Sequence, residues 1–212
     1  ALKPRQEKNI EIEKKLDILK SINQEKGVHE AKSKIKFVEK QYAQSITDTY
    51  TINSRGKKLE GIDAFTIEME KQMKKPLKKR ELPVFVSKDK NGHNIYIVPL
   101  SGKGLWGPVW GYISLKDDMK TVYGATFDHK GETPGLGAEI ATQSFSKQFE
   151  GKKIFDDQGN FTSINVIKGG ADENDAHGVD AISGGTITSN GVEKMLEDCL
   201  LSYKNFFKKQ RK

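Results

Sequence analysis

From residue 5 to residue 23 the chain reads RQEKNIEIEKKLDILKSIN. Ile12, Leu16 and Leu19 recur there at helical spacing among lysines and glutamates, which predicts an amphipathic helix with a narrow apolar stripe. A second helix is expected after Gly27, over 31–42, and from 46 to 75 no single periodicity dominates. Around Leu82 the pattern changes to strands. LPVFVSKDKNGHNIYIVPL reads as two strands joined at Asn91-Gly92, a strong hairpin signal. WGPVWGYISLKDDMKTVYGATFD reads as a second hairpin turning at 116–119, with Tyr112, Ser114 and Lys116 alternating with Ile113 and Leu115. A glycine-rich stretch, HKGETPGLGAEI, precedes a helix expected over 138–149, and FTSINVIKGG supplies one more strand. The last helix is expected to begin at Gly191, because Asn190 and Glu193 have capping-box spacing, and to bury Val192, Leu196, Cys199, Leu200 and Tyr203. Helices first, then an antiparallel sheet with packed helices and a C-terminal helix, define an α+β fold.

Composition narrows the function classes. Of the 212 residues, 35% are hydrophobic and 31% charged, a polar mixture that can still fold. The longest apolar run, IYIVPL, is far short of the roughly 20 residues that span a bilayer, and the opening ALKPRQEKNI lacks the pattern of a signal peptide. The one cysteine, Cys199, cannot form an intramolecular disulfide, and it falls on an apolar helical face. The four histidines show no ligand spacing, so no metal site is expected. The net charge of +7 raises nucleic acid as a partner, but the basic clusters at 71–80 and at the C-terminus are not interleaved with aromatics, so none is expected.

Two loops could carry chemistry. In DAISGGTITSNG, Ser183, Thr186, Thr188 and Ser189 surround Gly184-Gly185 immediately before a helix. That arrangement fits a capped helix after a flexible loop, or a site where helix N–H groups hold a phosphate. With no Lys or Arg in the loop it is not a Walker-type phosphate loop, and no base is evident beside a serine, although His177 is close in sequence, so a serine hydrolase is a minor reading. In ETPGLG, Thr133-Pro134-Gly135-Leu136 suits a type II turn, which is either purely structural or presents Leu136 to a ring. Trp106, Trp110 and Tyr112 in GKGLWGPVWGY are core aromatics or a cofactor wall.

Taken together and in this order, the N-terminal LKPRQEKNIEIEKKLDIL, GKGLWGPVWGYISL, GETPGLGAEI, VIKGG and HGVDAISGGTITSNGV resemble one family. It is the covalent-FMN-binding domain family of the C subunit of the bacterial Na+-translocating NADH:quinone reductase, shared with the G subunit of a related ion-translocating electron-transport complex. The GLW segment and the N-terminal stretch favour the former. The resemblance implies a flavoprotein subunit of a membrane NADH:ubiquinone oxidoreductase that relays electrons one at a time, with no general acid or base of its own. A cofactor-free binding module of the same fold is the alternative.

In the family motif Asp-x-x-Ser/Thr-Gly-Ala-Thr, the final threonine carries FMN as a phosphoester. Mapped here, Asp180 opens the motif, Ser183 and Gly184 follow, Gly185 stands where the family usually has alanine, and Thr186 is the attachment residue. Thr188 is the competing hydroxyl. The resemblance places Glu132, Thr133, Leu136 and Gly137 near the flavin ring, with Leu105 and Trp106 closing the pocket. It also implies a flavin transferase that draws FMN from FAD, other subunits of the complex as partners, and a single transmembrane helix preceding Ala1. The protein would then sit at the cell inner membrane with its flavin domain on the periplasmic side. On this reading 1–45 is a helical segment after the anchor and 46–212 is the FMN-binding domain.

Overall fold

The computed structural model describes residues 3–211, with side chains from residue 6 onward. Two helices open the chain, α1 (Lys3–Lys20) and α2 (Lys34–Ser45). Ser33 caps α2 by accepting the Lys36 N–H. The stretch without a clear periodicity holds β1 (Ile46–Asn53), β2 (Lys58–Leu59), a 3-10 turn at Ala64–Thr66 and the short helix α3 (Met69–Met73). The two expected hairpins follow as β3 (Glu81–Lys88) with β4 (Asn94–Lys103), and β5 (Pro108–Leu115) with β6 (Val122–His129). Gly92 sits at φ +84° in the first turn, where the Asp89 carboxylate accepts the N–H groups of Asn91 and His93. Strands β1 to β6 form one antiparallel sheet in the order β2-β1-β3-β4-β5-β6.

Alternation along the strands splits the core between the two faces of that sheet. Val84, Val98, Leu100 and Ile113 face α5 (Thr186–Gln210), meeting Leu196, Leu200, Tyr203 and Phe206. Their neighbours Phe85, Ile97 and Tyr112 point the other way, against Ile12, Leu16 and Leu19 of α1 and Val38 of α2. The Tyr203 hydroxyl donates to the Pro83 carbonyl at 2.8 Å, tying the long helix to β3. The mixed α/β architecture expected from the pattern is the one observed.

Three expectations about local structure are corrected. The helix expected over 138–149 is a 3-10 turn, Gly137–Ala141, followed by α4 (Gln143–Lys147). The break falls at Thr142, which is extended and whose hydroxyl accepts the Phe145 N–H. The strand in FTSINVIKGG shrinks to β7 (Asn165–Ile167), paired in parallel with β8 (Gly178–Asp180). Finally, α5 begins at Thr186, five residues before Gly191, so the capping box does not form. The Glu193 carboxylate instead accepts the N–H of Val166, pinning the helix to β7.

Candidate cofactor site

That early start decides the chemistry of the hydroxyl-rich loop. Gly185 occupies the N-cap position with no side-chain oxygen to satisfy the first turn. The first intrahelical bond runs from the Ser189 N–H to the Gly185 carbonyl at 2.8 Å. The N–H groups of Thr186, Ile187 and Thr188 precede it, so they remain open at the positive end of a 25-residue helix. Upstream the loop is held by a turn from the Gly185 N–H to the Ile182 carbonyl (3.0 Å) and by the Ile182 N–H on Ser189 Oγ (3.0 Å). Such an N-terminus suits an anion.

The second loop comes up against it. Leu136 N–H bonds to the Thr133 carbonyl at 3.1 Å with Gly135 at φ +73°, as a type II turn requires. Leu136 then lies over Gly184, itself at φ +71°, so closely that a Cβ there would stand 2.6 Å from Leu136 Cδ2. Glu132, 5% exposed, joins three segments. Its carboxylate accepts the Thr188 hydroxyl on one oxygen and the Trp106 N–H at 2.9 Å on the other, and its own N–H donates to His129 Nδ1 at 3.1 Å. A Cβ on Gly137 would fall 2.5 Å from Thr188 Oγ1 and 2.6 Å from Glu132 Oε2, so only glycine leaves room for that bond.

These segments enclose a cavity of about 230 Å³. Thr186, Thr188, Gly184 and Gly185 line one side, and Glu132, Thr133, Leu136 and Gly137 another. Leu105 and Trp106 complete it. Trp110, Tyr112 and Ser189 lie outside it, as do two of the residues that the resemblance assigns to the site. Asp180 is engaged behind the loop, accepting the Ala171 N–H at 2.8 Å, and Ser183 is in the turn. One lining residue was not singled out: Ile187, whose place next to Thr186 was its one signal. Gly191 also has a different part from the one expected. It lets α5 approach β4, since a Cβ would stand 2.3 Å from the Lys103 carbonyl oxygen.

The rim is apolar. Trp106 (68% exposed) and Ile187 (58%) stand at the mouth with Leu105 and Leu136, four large apolar side chains left in contact with solvent around one opening. The cavity is smaller than the roughly 300–1,000 Å³ of an ordinary ligand pocket. A phosphate and its chain fit inside, and a flat ring fits against the apolar rim. The open N–H groups, the glycine cradle and the rim together suit a flavin mononucleotide.

The comparisons agree with this class. A family profile described as the FMN-binding domain matches residues 104–201, a span that includes every residue lining the cavity. Among sequence relatives, the C subunit of the Na+-translocating NADH-quinone reductase of Haemophilus ducreyi is 32% identical over 204 residues, covering 91% of this chain and 77% of the relative. Its counterpart in Vibrio anguillarum is 48% identical over 97 residues, which is 46% of this chain and only 38% of the relative. The match to the Vibrio protein thus spans about two fifths of its length. The crystal structure of the same subunit from Parabacteroides distasonis superposes with a TM-score of 0.85 at 42% identity, covering 98% of this chain and 97% of that one. The Shewanella oneidensis NqrC structure gives 0.73 at 29% identity, covering 93% and 98%. The chain belongs to the C-subunit family of the Na+-translocating NADH-quinone reductase.

Proposed function

We propose that this chain is the flavin-carrying subunit of a membrane Na+-translocating NADH:ubiquinone reductase, with FMN bound to Thr186 by a phosphoester. The observation that carries the reading is the state of the hydroxyls around the open helix terminus. Thr188 is 1% exposed and donates to Glu132, and Ser189 is fully buried and accepts from Ile182. Ser183 lies outside the cavity. Thr186 Oγ lines the cavity, is half-buried, and has no hydrogen-bond partner among the described residues. It is the hydroxyl free to react.

Attachment would join Thr186 Oγ to the FMN phosphorus as the pyrophosphate bond of FAD breaks. AMP leaves, and the threonine proton passes to solvent, with a Mg2+-dependent flavin transferase as catalyst. The open N–H groups of Thr186, Ile187 and Thr188 would stabilise the charge remaining on the phosphate. Leu136 and Trp106 would bound the ring and limit water around it. When bound, the flavin supplies one-electron transfer, and the protein fixes its position. Among the described residues no helix is long and apolar enough to cross a membrane. On this reading the domain works at the periplasmic face of the inner membrane, as part of the assembled complex.

Intact-mass analysis with peptide mapping, on protein made with and without a matching transferase, tests the assignment. The expected result is one added FMN, less one water, on the peptide containing Thr186, abolished by Thr186→Ala. The same adduct surviving in Thr186→Ala, or none with the transferase present, would overturn it.

A further inference from the structure

A groove of about 720 Å³ lies apart from the proposed flavin pocket, between α3, the turn that follows it and the flank of α5. Its lining is apolar along the middle: Met73, Pro108 and Met195, with Leu77 and Leu201 each left 43% exposed. The acidic side chains of the groove are already neutralised. Glu70 pairs with Lys74 at 2.6 Å and Asp198 with Lys194 at 2.6 Å.

Arg80 is different. Its guanidinium donates to the Lys75 carbonyl (3.0 Å), the Met73 carbonyl (3.1 Å) and Ser202 Oγ (2.6 Å). The group is fixed in place, with no carboxylate against it among the described residues and donors to spare. Lys103 on the groove, and Lys78 and Lys79 in the turn beside it, also have no ion-pair partner among the described residues. The position matters as well. Lys103, Gly107 and Pro108 face the groove, while Leu105 and Trp106 of the same segment wall the flavin cavity.

We propose that this groove is the docking surface for an acidic segment of another subunit of the complex. That segment places apolar side chains between Leu77 and Leu201 and a carboxylate against Arg80 and Lys103. The inference rests on the proposed membership of this chain in a multi-subunit reductase. A carboxylate would meet the spare Arg80 donors with charge-assisted hydrogen bonds. Apolar side chains would cover the two leucines, and Lys78 and Lys79 would steer the encounter. Two copies of this chain, each carrying +7, repel one another overall. Nucleic acid would leave the apolar floor unfilled.

The test places the photo-reactive residue p-benzoylphenylalanine at position 201 in the assembled complex, with position 35, an exposed site on α2, as control. Cross-links are mapped by mass spectrometry, and flavin on this chain is read separately by in-gel fluorescence. Position 201 is expected to join one segment of another subunit in which Asp or Glu flanks apolar residues. Leu201→Asp and Lys103→Glu are expected to reduce co-purification of the chain with the complex at least tenfold without changing its flavin content. Cross-links to lipid or to a second copy, or none above the position-35 control, would overturn the proposal. Correct cross-links on a chain lacking flavin would support the docking surface and count against the Thr186 assignment.

Discussion

Thr186 and Thr188 are two residues apart on the first turn of one helix, and packing gives them opposite situations. Thr188 donates to a buried carboxylate, whereas Thr186 has no partner among the described residues. A hydrogen bond to a charged group is worth about 1.5–3 kcal/mol, and one to nothing is worth nothing. Thr188→Val should therefore lower unfolding stability by about 2 kcal/mol, while Thr186→Val should change it by less than about 0.5 kcal/mol and abolish flavin attachment. Urea denaturation of the flavin-free chain, alongside flavin fluorescence of the coexpressed one, measures both. Equal stability losses in the two variants would contradict the division of roles. Sequence spacing alone could not make this distinction, because Glu132 approaches Thr188 only when two loops far apart in the chain are folded together. The cavity itself was more legible. Ten of its lining residues were marked by the resemblance, whereas Ile187 lay just past the motif and had only its place next to Thr186 to mark it.

Among the elements, α1 shows how a helix thin in apolar residues can hold a face of the sheet. Its stripe of Ile12, Leu16 and Leu19 is buried, and Asp17 is buried beside it at 5% exposure. Burial pushes the Asp17 carboxyl up to about 6 from its ordinary 3.8. Lys20 at 3.2 Å opposes the shift, while Asp128 and Glu13 add to it. The folded chain thus keeps the Asp17 proton in a range where the unfolded chain has released it. Between pH 3.8 and about 6 the unfolded state binds fewer protons, so stability falls as pH rises through that window and levels off above it. The loss reaches about 3 kcal/mol at most, taking roughly 1.36 kcal/mol per unit. Asp17→Asn removes the titration. The variant should match the parent near pH ~3.5 and exceed it by up to about 3 kcal/mol at pH ~7.5, as read from denaturant midpoints. A pH-independent difference would show that Asp17 is not the group responsible. The apolar stripe of α1 was visible in the sequence, but the burial of Asp17 was not, since it depends on α1 lying flat on the sheet. The start of α5 was missed for a related reason. A local capping box at Asn190 and Glu193 was outcompeted by the bond from Val166 to Glu193, which forms only when β7 packs against the helix.

In the whole molecule, the sheet separates two cores with different duties. The α5 face carries the candidate cofactor cavity and the proposed docking groove, and the opposite face is covered by α1 and α2. The boundary between 45 and 46 falls at the junction of α2 and β1, yet the two sides of it share side-chain contacts and hydrogen bonds. Ile12, Leu16 and Leu19 lie against Phe85, Ile97 and Tyr112, the Ser114 hydroxyl donates to the Ser21 carbonyl, and Asn23 bonds to Glu150. Each fully buried aliphatic side chain contributes roughly 1.5–3 kcal/mol, and a domain of this size has only about 5–15 kcal/mol of net stability. Removing residues 1–45 would expose Phe85, Ile95 and Ile97 as one apolar face at a cost comparable to that whole margin. The piece 46–212 is therefore expected to aggregate or to lose its near-ultraviolet circular dichroism, although it retains every residue of the flavin cavity. A monomeric 46–212 chain that melts at the parent's temperature would show that the flavin face stands alone and that α1 and α2 are an attachment. Failure to fold would mean that residues 1–45 are one wall of the domain, and that the sheet face they cover cannot stand without them.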